Sequence, residues 1–409
     1  MEPGHVSIEP SDLQILSSLH GEDDQDPRIV FEWSILQKLE PIERLLKALT
    51  EGPDLPLHFH DEFPPRPANP NICQVNQKGL AYKLVASMSA LNDLQRLCPP
   101  MHLSPRIQAF YRVCLVPTLQ NYRGSKPIEP LINELWLQAH REGHRTPADA
   151  FPYSYCNLLQ RSSIDRKKAQ ELFETLTPYY NCLKAVLRSP DLKLAQSNRL
   201  NQARRHQKQL SALFEATRKT YPEVVMIYLE LSVPAPKEAD TADPEGYALL
   251  SDTKATFLKR RQHDPLFHGL VSYCWKYRYT RDQGLVCMMV LFFDIQDQPR
   301  FHALTQALAD YWLSVAPEGS QCWSPSPTAR PKSYQYYGWL DCKEKAVKDG
   351  FAALARLMGL YGAYVQPRPP KKLHIFGTSK LPGVKSRPKK KSRTGTKNKK
   401  NTGNTEAKS

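Results

Sequence analysis

The stretch HGLVSYCWKYRYTRDQGLVCMMVLFFD, residues 268–294, decides the fold of the C-terminal half. Its first part alternates aromatic with other side chains, and its last part, Leu285 to Phe293, is continuously apolar. These two patterns are typical of a half-buried strand and of a fully buried one. The link between them, Thr280 to Gly284, has the length of a hairpin turn and ends in glycine. The stretch therefore predicts two neighbouring antiparallel strands.

Further strands and helices are predicted on both sides of this hairpin. The β-branched run at 224–231 lies between Pro222 and Pro234 and predicts a buried strand, and 334–340 predicts a last one. Apolar residues at helical spacing predict helices over about 247–262, 301–315 and 343–364. The resulting order, β-α-β-β-α-β-α, indicates an antiparallel sheet with helices packed on it.

The N-terminal half has a different pattern, because its leucines recur at three- and four-residue spacing. Helices are predicted over 29–50, 78–98, 105–120, 127–143, 165–188 and 192–221, with Pro178 expected to kink or split one of them. The fold class is therefore α+β. We divide the chain into a polar N-terminal segment (1–28), a helical domain (29–204), an α+β domain (205–382) and a disordered basic tail (383–409).

Most of the positive charge lies at the C-terminus. The formal net charge is +15, and from Lys380 to the end there are eleven Lys and Arg against one Glu. A dense cationic segment attracts polyanions, and nucleic acid is the polyanion that we expect here. The tail residues that we expect to bind it are Lys385, Arg387, Lys389, Lys390, Lys391 and Arg393. The alternative is a tail that only improves solubility.

The first strand of the hairpin is a second candidate for binding nucleic acid. It carries aromatic residues at 273, 275, 277 and 279, and an aromatic sheet face can stack bases. Lys276, Arg278 and the nearby Arg281 could then hold phosphates. The alternative is that the aromatic side chains pack against a helix.

Composition and missing motifs narrow the function further. The N-terminus is acidic and the longest apolar run is too short to cross a bilayer, so we expect a cytoplasmic protein without a membrane partner. The 9 cysteines include no CxxC pair, so we expect reduced core cysteines and no zinc ribbon. Glycine-rich phosphate loops and the GxSxG elbow are absent from the sequence. We expect no cofactor, with a divalent metal only if the protein is an active nickase.

The C-terminal half resembles the YagK/YfjJ C-terminal domain family of filamentous phages and bacterial prophages, which is described as inovirus replication-protein-like. The resemblance rests on the order of elements and on four stretches, which are His268–Lys276, Gly284–Asp294, Ala309–Trp312 and Ile375–Pro382. The family is similar to the HUH endonucleases. The resemblance therefore implies an HUH/RRM-like sheet, a His-hydrophobe-His metal site, and a helical tyrosine that attacks a DNA phosphate.

This chain departs from that pattern at the positions that carry the chemistry. Val286 and Met288 stand where the resemblance places the metal-binding histidines, and neither suits a hard divalent cation. Arg278 stands where the family tends to have a carboxylate. The Tyr-x-x-Lys positions align with Leu357 and Leu360, although Tyr361 and Tyr364 lie close by. The resemblance therefore implies an initiator-like domain that has lost catalysis.

Three functions follow as hypotheses. The first is a catalytically degenerate replication-initiator-like protein of a prophage or integrative element, which binds DNA through its tail and sheet. The second is an active nickase that uses a tyrosine and a divalent metal held by other residues, such as His263 or His268. The third is an interaction or structural protein, whose helical N-terminal half docks a protein partner.

Overall fold

The computed structural model describes residues 27–52, 57–97, 103–114, 161–234, 244–280, 284–294, 300–324, 338–367 and 373–382. The helices are α1 Pro27–Glu51, α2 Phe59–Glu62, α3 Leu80–Leu97, α4 Pro105–Cys114, α5 Arg166–Arg188, α6 Pro190–Thr220, α7 Pro244–Lys259, α8 Arg300–Val315 and α9 Lys345–Tyr364. The strands are β1 Pro65–Arg66, β2 Asn69–Gln74, β3 Ser163–Asp165, β4 Glu223–Ser232, β5 Leu270–Thr280, β6 Gly284–Phe293, β7 Gln321–Trp323, β8 Gly338–Asp341 and β9 Phe376–Thr378.

The C-terminal half is built on one sheet, with strand order β7-β4-β6-β5-β9 and with β8 also paired to β4. Its strand pairs are antiparallel, and β5 and β6 form the predicted hairpin in a register that runs from Leu270↔Phe293 to Thr280↔Gly284. The predicted α+β class with a C-terminal antiparallel sheet is therefore confirmed. Two short strands, β7 and β9, were not predicted, because three-residue edge strands carry no readable alternation.

The central strand is β6, and helices cover the sheet on both faces. Its residues are buried almost throughout, as the continuous apolar run predicts. On one face, the rings of Phe214 (α6) and Phe351 (α9) both contact Phe292 at centroid distances of 5.5 Å. On the opposite face, the ring of Tyr247 (α7) contacts that of Tyr277 at 6.4 Å. The sheet is thus the middle layer of three.

The N-terminal half is helical, but it also contains a small sheet that the sequence did not reveal. The proline-rich segment expected to be a loop contributes β1 and β2, and β2 pairs with the distant β3. These strands have only two to six residues and no apolar alternation, so their pairing depends on tertiary contacts. Beside them, the carboxylate of Glu62 accepts the N–H groups of Leu80 and Ala81 and caps the start of α3.

Helix α5 passes through Pro178 without being split, contrary to one of the two predicted outcomes. Buried side chains on both sides of the proline, including Leu176 and Tyr179, anchor the helix to the core. This packing outweighs the loss of one helical hydrogen bond. The predicted helix at 127–143 and the basic tail lie outside the described residues.

Two hydrophobic cores meet along α6 and α9. The first contains the N-terminal helices, residues of α6 up to Ala203, and the end of α9, including Tyr361 and Tyr364. The second contains the sheet and begins at Leu210 of α6. Each of these two helices therefore belongs partly to both cores, so α6 and α9 connect the two halves of the chain.

None of the described helices combines the length and the apolar character that a membrane span requires.

Candidate functional site

Three adjacent strands bring charged side chains to the sheet face that α6 and α9 cover. Glu230 of β4 lies opposite Met288 of β6, and Met288 lies opposite Lys276 of β5. One row further along, Arg278 of β5 lies opposite Val286 of β6. Because alternate residues of a strand point to the same face, all five side chains share one face. Val286 and Met288 are the positions that the resemblance assigns to metal-binding histidines.

Glu230 and Arg278 form a buried ion pair. The Arg278 Nη2 atom lies 2.5 Å from Glu230 Oε2, and the Tyr228 hydroxyl donates to Glu230 Oε1 at 2.7 Å. Both charged residues are only 3% exposed. Since β6 lies between β4 and β5, the two side chains meet above the face of β6 that carries Val286 and Met288. The ion pair therefore covers the positions where the resemblance places a metal.

Lys276 adds a second buried cation to this cluster. It is 2% exposed, and its ammonium group donates a hydrogen bond to the main-chain carbonyl of Met358 in α9. Gly362 leaves room for it, because a Cβ at that position would lie 2.8 Å from Lys276 Nζ. Arg199 of α6 also binds α9, by donating from Nε to the Gly362 carbonyl at 2.7 Å. Both side chains thus donate to carbonyl oxygens of α9, and that of Gly362 belongs to the last turn, where the free carbonyl groups carry partial negative charge.

The surroundings of this cluster disfavour additional positive charge. Burial lowers the pKa of Lys276 to about 7, and the nearby charge of Arg199 contributes to the decrease. Burial also lowers the pKa of His206 to about 4, with contributions from Lys276 and Arg205. The His206 ring stacks on Phe376 at a centroid distance of 4.3 Å. His206 is therefore neutral near pH 7.

A small cavity lies beside the cluster. Its volume is ≈ 20 Å³, enough for about one water molecule. The residues that line it come from the sheet and from α9, and they are Tyr228, Lys276, Arg278, Met288, Leu354, Leu357, Met358 and Tyr361. Leu357, one of the two positions aligned with the catalytic motif, thus reaches the cavity, and so does Tyr361 one helical turn later. Tyr364 belongs to the core of the helical half instead.

The residues around this cavity do not fit the divalent metal that the resemblance implies. Val286 offers no donor atom, and the Met288 thioether is a soft ligand. Glu230 has a suitable carboxylate, but that group already binds Arg278 and Tyr228. In the described parts of the chain, no group of three or more His, Cys, Asp or Glu residues is placed to hold a metal ion. His263 and His268 are exposed in the segment before β5.

The structure corrects the expected location of the sheet's phosphate contacts. Lys276 and Arg278 point into the protein, where a nucleic-acid backbone cannot reach them without separating α9 from the sheet. The charge of Arg278 is compensated by Glu230, and the Lys276 amine is satisfied by its hydrogen bond to the Met358 carbonyl. Arg281 and the six predicted residues of the tail lie outside the described residues.

The described aromatic side chains of β5 point to the opposite face and pack there. Tyr277 is buried against Tyr247 of α7, and Trp275 is half-buried with the Lys254 ammonium 3.0 Å above its ring. These contacts favour the interpretation in which the aromatic side chains pack against a helix over the one in which they stack bases. The side chain of Tyr279 lies outside the described residues.

Glu230 was not among the residues expected at this site. A detectable signal was present, because Glu230 is a lone carboxylate in the otherwise apolar run 224–231. A buried strand tolerates such a residue only when an opposite charge compensates it. Lys276 and Arg278, on a strand expected beside the central one, were the available cations. The pairing could thus have been inferred once the strand order was known.

The lowered pKa of Lys276 predicts a pH-dependent stability. Between about pH 7 and 10, the unfolded chain holds a proton on this amine that the folded chain has lost, so this residue makes stability rise with pH. Lys276→Met should abolish that contribution. From about pH 7 to about 8.5, the free energy of unfolding of the wild type should increase relative to that of the variant by an amount on the order of 1–2 kcal/mol.

Urea denaturation of both proteins at several pH values measures this difference. Lys208→Met, which removes an exposed lysine from α6, serves as the matched control, and its curve should run parallel to that of the wild type. A constant difference between wild type and Lys276→Met across the range would show that Lys276 stays protonated in the folded protein.

Comparison of the chain with protein-family models, with curated proteins and with solved structures finds no match. The resemblance to the YagK/YfjJ C-terminal domain family therefore rests on the stretches quoted above, and the activity that it implies is a matter for proposal.

Proposed function

We propose that this chain is a replication-initiator-like protein of mobile-element origin that binds nucleic acid, DNA foremost, without cleaving it. One observation carries the proposal. The sheet face that the resemblance assigns to metal-assisted cleavage holds the buried Arg278–Glu230 pair above Val286 and Met288. The family origin is inferred from the resemblance, and nucleic acid is inferred as the partner from the positive charge of the chain.

The charged cluster cannot replace a metal in phosphodiester cleavage. In metal-assisted cleavage the cation contacts the scissile phosphate directly and stabilises the charge that develops on its oxygens. Arg278 is neutralised by Glu230, and Lys276 is bound to a helix carbonyl. The adjacent cavity has a volume of ≈ 20 Å³ and could not admit a phosphodiester linkage. This arrangement supports a structural role for the cluster.

The charge distribution supports binding to nucleic acid. The segment after Pro382 contains ten Lys and Arg against one Glu, which accounts for +9 of the formal charge of +15. Lysine- and arginine-rich segments bind phosphates and release condensed counterions, so their affinity falls steeply with salt. Such binding requires no base contact and is compatible with a sheet face that is closed by helices.

The nickase hypothesis is kept as a second candidate because of Tyr361. This residue lies on α9 one helical turn after Leu357, the position that the resemblance aligns with the nucleophilic tyrosine. It lines the same cavity as Met288. Tyr361 is 8% exposed, so cleavage would require α9 to move away from the sheet and a metal to be held by other residues. The two candidates differ in whether a metal-dependent product forms.

Fluorescence anisotropy with labelled single-stranded DNA, with Mn²⁺ or with EDTA, tests the proposal. We expect binding that weakens with salt and DNA that remains intact under both conditions. Cleavage that depends on Mn²⁺ would favour the nickase. Absence of binding would refute the proposal and favour the third hypothesis, in which the helical half docks a protein partner.

A further inference from the structure

We propose that a surface beside the start of β5, formed by Lys259, Arg260, Arg261 and Lys380, binds the phosphate backbone of single-stranded DNA. We call these four residues the basic corner. The inference rests on the proposed function, and it names a binding surface on the folded body in place of Lys276 and Arg278.

The local structure presents three consecutive cations to solvent. Helix α7 ends at Lys259, and the chain tightens into a 3₁₀ turn over Arg260–Gln262. Lys259, Arg260 and Arg261 are all exposed. A 3₁₀ turn has three residues per turn, so successive side chains point in different directions and can reach different phosphates.

Both arginines are held by aromatic rings at the surface. The Arg261 guanidinium lies 5.1 Å from the centroid of Tyr273 and donates from Nη1 to the Tyr273 hydroxyl at 2.6 Å. The Arg260 guanidinium lies 5.9 Å from the centroid of Tyr311. An arginine that is already held in place loses less side-chain entropy on binding. Its other N–H groups remain able to bind a phosphate through two parallel hydrogen bonds.

The C-terminal end of the folded body brings a fourth cation to the same place. Ser379 donates its backbone N–H to the Tyr273 carbonyl at 2.8 Å, and its hydroxyl accepts the Tyr273 N–H at 3.1 Å. The next residue, Lys380, is exposed, so a further cation follows directly on the residue that pairs with the backbone of Tyr273. The basic tail, which lies outside the described residues, follows Pro382 in sequence.

The chemistry of this surface favours a phosphate backbone over an acidic protein. Asp264, a carboxylate close to the corner, already accepts the backbone N–H of Leu266 at 3.0 Å. Protein–protein interfaces have apolar centres, whereas nucleic-acid interfaces are polar and cationic. Tyr273 and Tyr311 are half-buried under the arginines, so their rings support the cations and do not offer a flat platform for bases.

The test is the double variant Arg260→Gln/Arg261→Gln in the full chain, with fluorescein-labelled oligo(dT) as the probe. The logarithm of the binding constant is plotted against the logarithm of the salt concentration. The double variant loses two contacts to phosphates of single-stranded DNA, which should reduce the magnitude of this slope by about 1.4. Arg260→Lys/Arg261→Lys, which keeps the charge, should retain the slope.

Lys167→Gln/Lys168→Gln is the matched control, because it removes two exposed cations from the first turn of α5 in the helical half. Its slope should equal that of the wild type. If the wild type binds DNA and the arginine variant keeps the wild-type slope, the basic corner does not contact the phosphates. The proposed function would still stand. If the wild type does not bind, both are wrong.

Discussion

Arg278→Leu is expected to lower the free energy of unfolding by about 3–5 kcal/mol, which is the usual cost of leaving one partner of a buried ion pair without the other. Glu230 is 3% exposed, and the positive charge that compensates its carboxylate is that of Arg278, on the far side of the central strand. The variant would leave this carboxylate in the interior with the Tyr228 hydroxyl bound to it. A single hydroxyl donor cannot compensate a buried charge.

The double variant Glu230→Leu/Arg278→Leu separates this effect from lost packing. Removing both charges should recover most of the stability, because a well-packed apolar pair is often as stable as a buried ion pair. Arg205→Leu, an exposed change on α6, should alter the free energy of unfolding by no more than about 0.5 kcal/mol. Urea denaturation gives all three values. If the double variant were as unstable as Arg278→Leu, the buried charge would not be the cause.

Truncation after Pro382 is expected to have the largest effect on nucleic-acid binding. It removes ten cations and one carboxylate. If half of these cations contact phosphates of single-stranded DNA, the slope of log affinity against log salt falls in magnitude by about 3.5. The ratio of the affinity of the full chain to that of the truncated protein then changes by roughly 3.5 orders of magnitude over a tenfold range of salt.

A full-length variant in which the Lys and Arg of residues 383–409 are replaced by Gln is the matched control for chain length. It should behave like the truncated protein, and both should unfold at the same urea concentration as the wild type. If the truncated protein bound DNA with an unchanged slope, the tail would only be solubilising, and the folded body would have to contain all the phosphate contacts.

The strands that form the sheet could be predicted because their signals are local. The alternation up to Tyr279, the glycine at 284 and the apolar run to Phe293 are all contained in one stretch, and the structure contains the hairpin that they predict. The pairing of β2 with β3 could not be predicted. These strands lie some ninety residues apart in sequence and carry no periodicity, so only the packed structure brings them together.

The candidate site could be predicted only in part. Lys276 and Arg278 were recognised as unusual residues for a strand, but the sequence does not show which sheet face α9 would cover. On an open sheet face the same two side chains could bind phosphate groups of a ligand. Under α9 they need polar partners within the protein. The roles of Gly362 and Arg199 also depend on how closely α6 and α9 approach, and no local pattern in the sequence encodes that distance.

The central claim is that the protein binds single-stranded DNA and does not cleave it. The most direct test incubates the full chain and Tyr361→Phe with a labelled pool of random-sequence single-stranded DNA, with and without Mn²⁺, and resolves the products on denaturing gels. We expect a salt-sensitive complex under native conditions, intact DNA after denaturation, and no protein covalently attached to it. A Mn²⁺-dependent product covalently joined to the protein, and lost in Tyr361→Phe, would contradict the account.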